Sequence, residues 1–176
     1  MSDETPAPTD GAGGPDASRT RAGGPDASRT RAGGPDQLRE VVHAQGHENV
    51  SATHASTLEV TSDDFLTPAG DCILAVEADR VPAEFSEEFV AACRDTAATV
   101  TATIEAGGHS ERVVGRGDPR LTFESERSYV VRTSDYVDDR TVMVGTDAAA
   151  ADLDRDLVAA LADGAEATLT LGVESP

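Results

Sequence analysis

Polar and apolar positions alternate over several short stretches of this chain, and a period of two predicts strands. REVVHAQ (39–45) reads as one. From Ser51 to Thr61 the residues Ser51, Thr53, Thr57, Glu59 and Thr61 share one face, with Ala52, His54, Leu58 and Val60 on the other. That pattern predicts a half-buried strand with His54 turned inward. Thr67-Pro68-Ala69-Gly70 predicts a turn. DCILAVEA (71–78), apolar on both faces through its middle, predicts a central strand that a hairpin brings back alongside. Further strands are expected at 96–105, 111–116, 121–123, 128–133, 141–146 and 167–173, with a turn at Gly107-Gly108.

Two stretches change period. Ser86 is a good N-cap, Glu87 and Glu88 favour the first turn of a helix, and Phe85 with Val90 predicts a hydrophobic staple. A second helix is expected from Asp147, with Leu153, Leu157 and Leu161 on its buried face and Gly164 ending it. Many short strands that do not alternate with helices predict a mainly β domain. The expected architecture is an antiparallel β-sandwich-like domain with two short helices at its ends.

Residues 1–36 lack such periodicity. AGGPDASRTR occupies 12–21 and again 22–31, and AGGPD begins a third copy at 32–36. Repeats opening on Gly-Gly-Pro cannot bury a core, since Gly is costly to order and Pro lacks a donor. A disordered tail over 1–36 and one β-rich domain over 37–176 are therefore expected. The tail's arginines could tether the domain to RNA or a protein.

Composition sharpens the habitat more than the chemistry. The 176 residues carry 33 acids against 14 basic residues, all of them Arg, for a net charge of −19. An acidic, lysine-free, aromatic-poor chain is expected of a halophile, because short carboxylates hold water where the apolar stem of Lys would promote association. Below roughly molar salt, self-repulsion is expected to loosen the fold. Such a charge does not favour nucleic acid or an anionic membrane as partner. No apolar run reaches the roughly 20 residues that span a bilayer, and MSDETPAPTD is not a signal peptide, so a cytoplasmic protein is expected. Cys72 and Cys93 then read as reduced, small buried residues.

Chemistry concentrates in GHENVSATHASTLEVTSDDFLTPAGDC (46–72). Three of the 4 histidines, His43, His47 and His54, lie in or just before it, with the chain's one asparagine, Asn49. His47, Asn49, Thr53, His54, Thr57, Glu59 and Asp71 are candidate ligand-binding residues for an unknown small molecule or macromolecule. His47, His54, Asp71 and Cys72 form a candidate transition-metal set, although no Cys-pair or HExxH spacing supports it. A histidine among Thr and carboxylate groups also suits a general base, with Ser56, Thr57 or Cys72 as nucleophile. No catalytic signature marks the chain as an enzyme. The plain alternative is that His54 is an inward histidine satisfied by Thr or Glu, with His47 a turn residue. Arg116, Arg132 and Arg140 could gather around a phosphate or carboxylate, as could the start of the second helix at Thr146-Asp147. The sequon at Asn49 and the Arg116-Gly117-Asp118 triplet read as loop residues.

Five stretches, GHENVSATHASTLEVT, LTPAGDCILAV, GRGDPRLTF, VVRTSDYVDDRTVMV and ADLDRDLVAAL, resemble the archaeal family known as domain of unknown function 371. The resemblance runs from about Val41 to Val173 and implies an archaeal protein, mostly β, without an established activity. Two positions depart from the expected pattern: Ser125-Glu126 stand where His-Pro is expected, and Ala148 stands where Lys is expected.

Overall fold

Hydrogen-bonded ladders place eight strands in two four-stranded sheets. The computed structural model describes residues 37–176, so the repeats at 12–36 and the expected tail lie outside the described residues. The strands are β1 (Gln37–Gln45), β2 (Thr57–Thr61), β3 (Ile73–Ala75), β4 (Thr99–Ala106), β5 (His109–Arg116), β6 (Ser128–Arg132), β7 (Thr141–Met143) and β8 (Glu166–Glu174). One sheet runs β1-β8-β4-β5 and is antiparallel throughout; the other runs β3-β2-β6-β7. The helices are α1 (Glu87–Cys93) and α2 (Arg155–Ala162), each preceded by a 3-10 turn, at Pro82–Glu84 and Ala150–Asp152. The mainly β class with two short helices is thus present.

The sheets are joined at both edges. Gln45 at the end of β1 bridges Val76 just beyond β3, and Arg116 at the end of β5 bridges Val144 just beyond β7. Two hydrogen bonds hold each bridge, at 2.7 and 2.8 Å in the first and 2.9 and 3.1 Å in the second. The sandwich is therefore a flattened, closed ring, and closure removes the exposed edges that an open sheet must protect. Between the sheets lie Val42, Leu58, Val60, Leu74, Val100, Ile104, Val131, Leu169 and Leu171, all essentially inaccessible.

The two halves of the ring repeat one another. Each half is a strand, a loop, a strand, a second strand parallel to it, a 3-10 turn, a short helix and a long strand. The hydrogen bonds recur in matched pairs. Gln45–Val76 answers Arg116–Val144. The Asp79 carboxylate and amide clamp His43 as those of Asp147 clamp Val114. His47 N–H donates to Leu161 O at the end of α2, as Asp118 N–H donates to Cys93 O at the end of α1. Left-handed backbone recurs at Ala52 and Phe123 (φ 50° and 53°) and at Glu77 and Gly145 (both 59°). Glu59 pairs with its own equivalent, Val130, and Thr103 with its own equivalent, Thr170. A pseudo-twofold axis therefore pierces both sheets at those two pairs.

Several expectations are corrected by this arrangement. The chain from 46 to 56 is loop, and only Thr57–Thr61 of the expected 51–61 strand is extended, because the backbone donors before it are taken by turns and by α2. Leu121–Phe123 is the equivalent loop of the second half, with Leu121 N–H bonded back to Asp118 O. β3 is shorter than expected and lies parallel to β2 at the rim of its sheet, not antiparallel at its centre. Its burial comes from the bridge to β1. The second helix begins at Arg155, not Asp147, with Asp154 as N-cap accepting from Asp156 N–H. The first helix and its Ser86 cap are as expected, with Ser86 Oγ accepting from Phe89 N–H at 3.2 Å. Gly107 and Gly108 (φ 59° and 82°) form the β4–β5 hairpin turn, where a left-handed backbone matches the strand twist.

Candidate functional site

The histidine-bearing loop is held by its own polar groups. Gly46 N–H reaches Ala165 O at 2.7 Å, and a Cβ at Gly46 would collide with the Leu161 carbonyl. His47 Nδ1 accepts from Asn49 N–H at 3.0 Å, and the Asn49 side chain donates to Leu66 O at 2.8 Å. Thr53 and His54 both donate backbone N–H to Asp71 O, at 2.9 and 3.2 Å. His54 Nδ1 accepts from Ser56 N–H at 3.2 Å and Thr57 N–H at 3.1 Å, with Thr57 Oγ1 3.0 Å away. His54 is half-buried at the loop, not part of an inward-facing strand. His47, Asn49, Thr53 and Asp71 thus serve the loop, Asp71 through its carbonyl.

This bonding decides the tautomer of both rings. Backbone N–H groups aimed at Nδ1 require a lone pair there, so the neutral ring carries its proton on Nε2. Neither nitrogen is then free for a metal, and a ligating histidine ordinarily donates its other N–H outward. Among the described residues no group of three or more His, Cys, Asp or Glu side chains converges as a metal site. The expected set of His47, His54, Asp71 and Cys72 is not assembled.

The second half shows what the two rings do. Asp118 stands at the equivalent of His47, and its Oδ1 accepts from Arg120 N–H at 2.9 Å. Ser125 stands at the equivalent of His54, and its Oγ accepts from Arg127 N–H and Ser128 N–H, both at 3.1 Å. Imidazole, carboxylate and hydroxyl perform one task, capping the turn that enters β2 or β6. Asp118 is also paired with Arg120, whose hydrogen bonds hold its carboxyl down at about 2.

A different group of polar side chains crosses the pseudo-twofold on the outer face of the β3-β2-β6-β7 sheet. Register places Thr57 opposite Arg132 and Glu59 opposite Val130. The parallel return of β3 brings Cys72 beside Glu59: Glu59 N–H donates to Cys72 O at 2.8 Å and Cys72 Sγ donates to Glu59 Oε1 at 3.4 Å. The other Glu59 oxygen faces Arg140 at 3.7 Å. Arg140 and Arg132 both reach Asp138 Oδ2, at 3.2 and 3.0 Å. Arg132 also donates to Thr141 Oγ1 at 2.9 Å and lies 4.8 Å from the centre of the Tyr136 ring. Five expected site residues, His54, Thr57, Glu59, Arg132 and Arg140, thus stand on or beside one surface. Arg116 is elsewhere, 3.7 Å from Asp118.

Burial, reinforced by the Glu59 charge, pushes the Cys72 thiol up to about 11. It is a protonated donor, not an activated thiolate. Asp138 is held below the usual carboxylate range: partial burial raises it, but the backbone and side-chain hydrogen bonds from Arg140, with Thr141 and Arg132, outweigh that. Arg132 is 11% exposed and Arg140 45% exposed, so one guanidinium is the fixed floor and the other opens to solvent. Tyr136, 58% exposed, stands at the position equivalent to Phe65, 56% exposed. Sequence reasoning missed Tyr136, Asp138 and Thr141. The segment Asp135–Thr141, with two acids before Arg140, was the available signal.

The larger concavities lie away from the histidine loop. Two adjoining clefts of about 490 and 470 Å3 flank the 3-10 turn at Pro82–Glu84 and share Ala83. No helix among the described residues is long and apolar enough to cross a membrane.

Comparison with known proteins accords with this architecture. The family model described as domain of unknown function (DUF371) matches residues 42–174. An uncharacterized protein of the archaeon Methanocaldococcus jannaschii, MJ0206, is 39% identical over 126 residues, covering 72% of this chain and 93% of the relative. The match takes in both halves of the ring, both histidine turns' positions and the Arg132–Arg140 segment, and the chain belongs to the DUF371 family.

Proposed function

We propose that residues 37–176 act as one binding domain, without catalysis, that recognises a small anionic molecule on the outer face of the β3-β2-β6-β7 sheet. The observation that carries this reading is Arg140. Its guanidinium is 45% exposed and is steadied by Asp138 at 3.2 Å and Glu59 at 3.7 Å. Contacts this long leave donors for a carboxylate or phosphate, which a guanidinium reads with two parallel hydrogen bonds. Arg132 beneath it supplies fixed positive charge, and the Tyr136 ring offers an apolar face to the rest of the ligand. The His54 Nε2–H and the Thr57 hydroxyl border the same surface. Binding is favoured over catalysis because the Cys72 thiol is protonated and both ring Nδ1 atoms are engaged.

The test is calorimetric titration of the full chain with inorganic phosphate, benzoate and a nucleoside monophosphate, beside Arg140→Gln and Tyr136→Ala. Saturable binding of at least one probe, lost in Arg140→Gln and weakened in Tyr136→Ala, is expected. Binding unchanged in Arg140→Gln, or no binding of any probe, overturns the proposal.

A further inference from the structure

The pseudo-twofold relates an occupied cradle to a vacant one. In the second half Arg155 folds its guanidinium into backbone carbonyls: Nε donates to Leu153 O at 3.1 Å, one Nη to Ser51 O at 3.4 Å, and the other to Ala52 O and Ala150 O at 3.2 and 2.9 Å. The equivalents of those four residues in the first half are Phe85, Thr122, Phe123 and Pro82. All four line the open cleft of about 470 Å3. The residue equivalent to Arg155 is Glu87, which lines the same cleft. A cation built into one half is therefore replaced in the other by a carboxylate beside an empty space. Arg94 covers part of the loss, donating to Leu121 O at 2.8 Å and Thr122 O at 3.3 Å. Among the described residues no donor reaches the Phe123 carbonyl, the counterpart of Ala52 O. The Thr122 hydroxyl, equivalent to that of Ser51, is buried without a partner.

We infer that this cleft is a receptor for a guanidinium group, and that an arginine of the N-terminal repeats supplies it. Carbonyl oxygens in a cradle of this shape, with one carboxylate, suit a planar fork of N–H donors better than a point-charge ammonium. The repeats carry Arg19, Arg21, Arg29 and Arg31, each in a Ser-Arg-Thr-Arg run. β1 starts at Gln37 and passes the start of α1, where Glu40 Oε2 accepts from Ser86 N–H at 2.9 Å. Arg31 precedes Gln37 by six residues, a reach of about 20 Å for extended chain. The cleft lies along α1, so the repeats reach it without leaving their own molecule. The inference stands apart from the anion site, which is on the outer face of the other sheet.

The experiment uses the full chain, observed through backbone amide resonances. Replacing Arg19, Arg21, Arg29 and Arg31 together by Gln is expected to move the resonances of Ala83, Val90, Ala91, Thr122 and Phe123 and to leave the Arg140 surface unmoved. Replacing the same four by Lys is expected to give the Gln result. N-acetylarginine amide added to the Gln variant is expected to restore the original shifts saturably, with N-acetyllysine amide inactive at the same concentration. Glu87→Gln is expected to weaken that binding about tenfold, the loss of one charge-assisted hydrogen bond. Glu87→Arg, which recreates the filled cradle, is expected to abolish it. Unmoved resonances in the Gln variant, with N-acetylarginine amide still binding, overturn the repeats as source. Absence of saturable binding, or equal binding of the lysine compound, overturns the receptor itself.

Discussion

The two ends of the flattened ring are built on one backbone plan and filled differently. At one end Phe85, Phe89, Phe123 and Tyr129 pack with ring centroids 5.4 to 6.1 Å apart; their equivalents at the other end are Leu153, Leu157, Ala52 and Leu58. At the aromatic end Glu40 is buried and held by Arg80 at 2.8 Å. At the aliphatic end its equivalent, Glu111, accepts from Asp154 N–H as Glu40 accepts from Ser86 N–H, but Ala148 stands in place of Arg80. What recurs is the hydrogen-bonding task of each position; what varies is the side chain that performs it. The comparison teaches that a residue matched by a chemically different equivalent doing the same job belongs to the fold. A residue whose equivalent does something else, as Arg155 and Glu87 do, is where function is to be sought.

The largest effect is expected where the ends differ most in burial. Arg80→Met leaves the Glu40 carboxylate buried and unpaired, and a loss of about 3–5 kcal/mol is expected in chemical denaturation. Glu111→Gln, at the open end, should cost less than about 1 kcal/mol. Equal losses would break the comparison. Next come Gly46→Ala and Gly117→Ala, whose new Cβ atoms would each meet the carbonyl ending a helix, Leu161 O and Cys93 O. Each should lose about 1–3 kcal/mol or more, as overpacking does, and a mild effect at only one would show that the halves close differently. His54→Ala should cost about 1 kcal/mol for the lost turn cap, and His54→Ser, which copies Ser125, should recover most of it in thermal unfolding. Failure of Ser to recover it would give the imidazole a role beyond the turn. The smallest effect is expected of Ala148→Arg, which offers Glu111 the partner that Glu40 has; a gain of up to about 1 kcal/mol is expected, fading with added salt.

The turn-capping role of the histidines was legible in outline. A satisfied histidine and a turn histidine were among the readings of His54 and His47, and the bonds to Nδ1 bear them out. The metal set was not separable from that reading by spacing, because coordination depends on which ring nitrogen is free, and backbone amides at Asn49, Ser56 and Thr57 decide it. The duplication left a faint trace: Gly46 and Gly117 open the two loops, and Thr61-Ser62-Asp63-Asp64-Phe65 has a loose echo in Thr133-Ser134-Asp135-Tyr136. Side-chain identity drifts between halves while backbone geometry does not, so the repeat is plain in hydrogen bonds and weak in letters.

By itself the sequence determined the elements whose causes are local. Ser86 caps α1 because its hydroxyl meets an amide three residues on; Gly107-Gly108 turns a hairpin because both need left-handed backbone; period-two apolar positions mark β2, β4 and β8. The tertiary structure alone decided the parallel return of β3 to β2, the two bridges that close the ring, the meeting of Glu59, Cys72, Arg132 and Arg140 across the pseudo-twofold, and the vacancy opposite Arg155. Those depend on which distant strand supplies the partner for each edge. That choice is made by the whole chain burying its apolar faces at once, which no window of neighbouring residues contains.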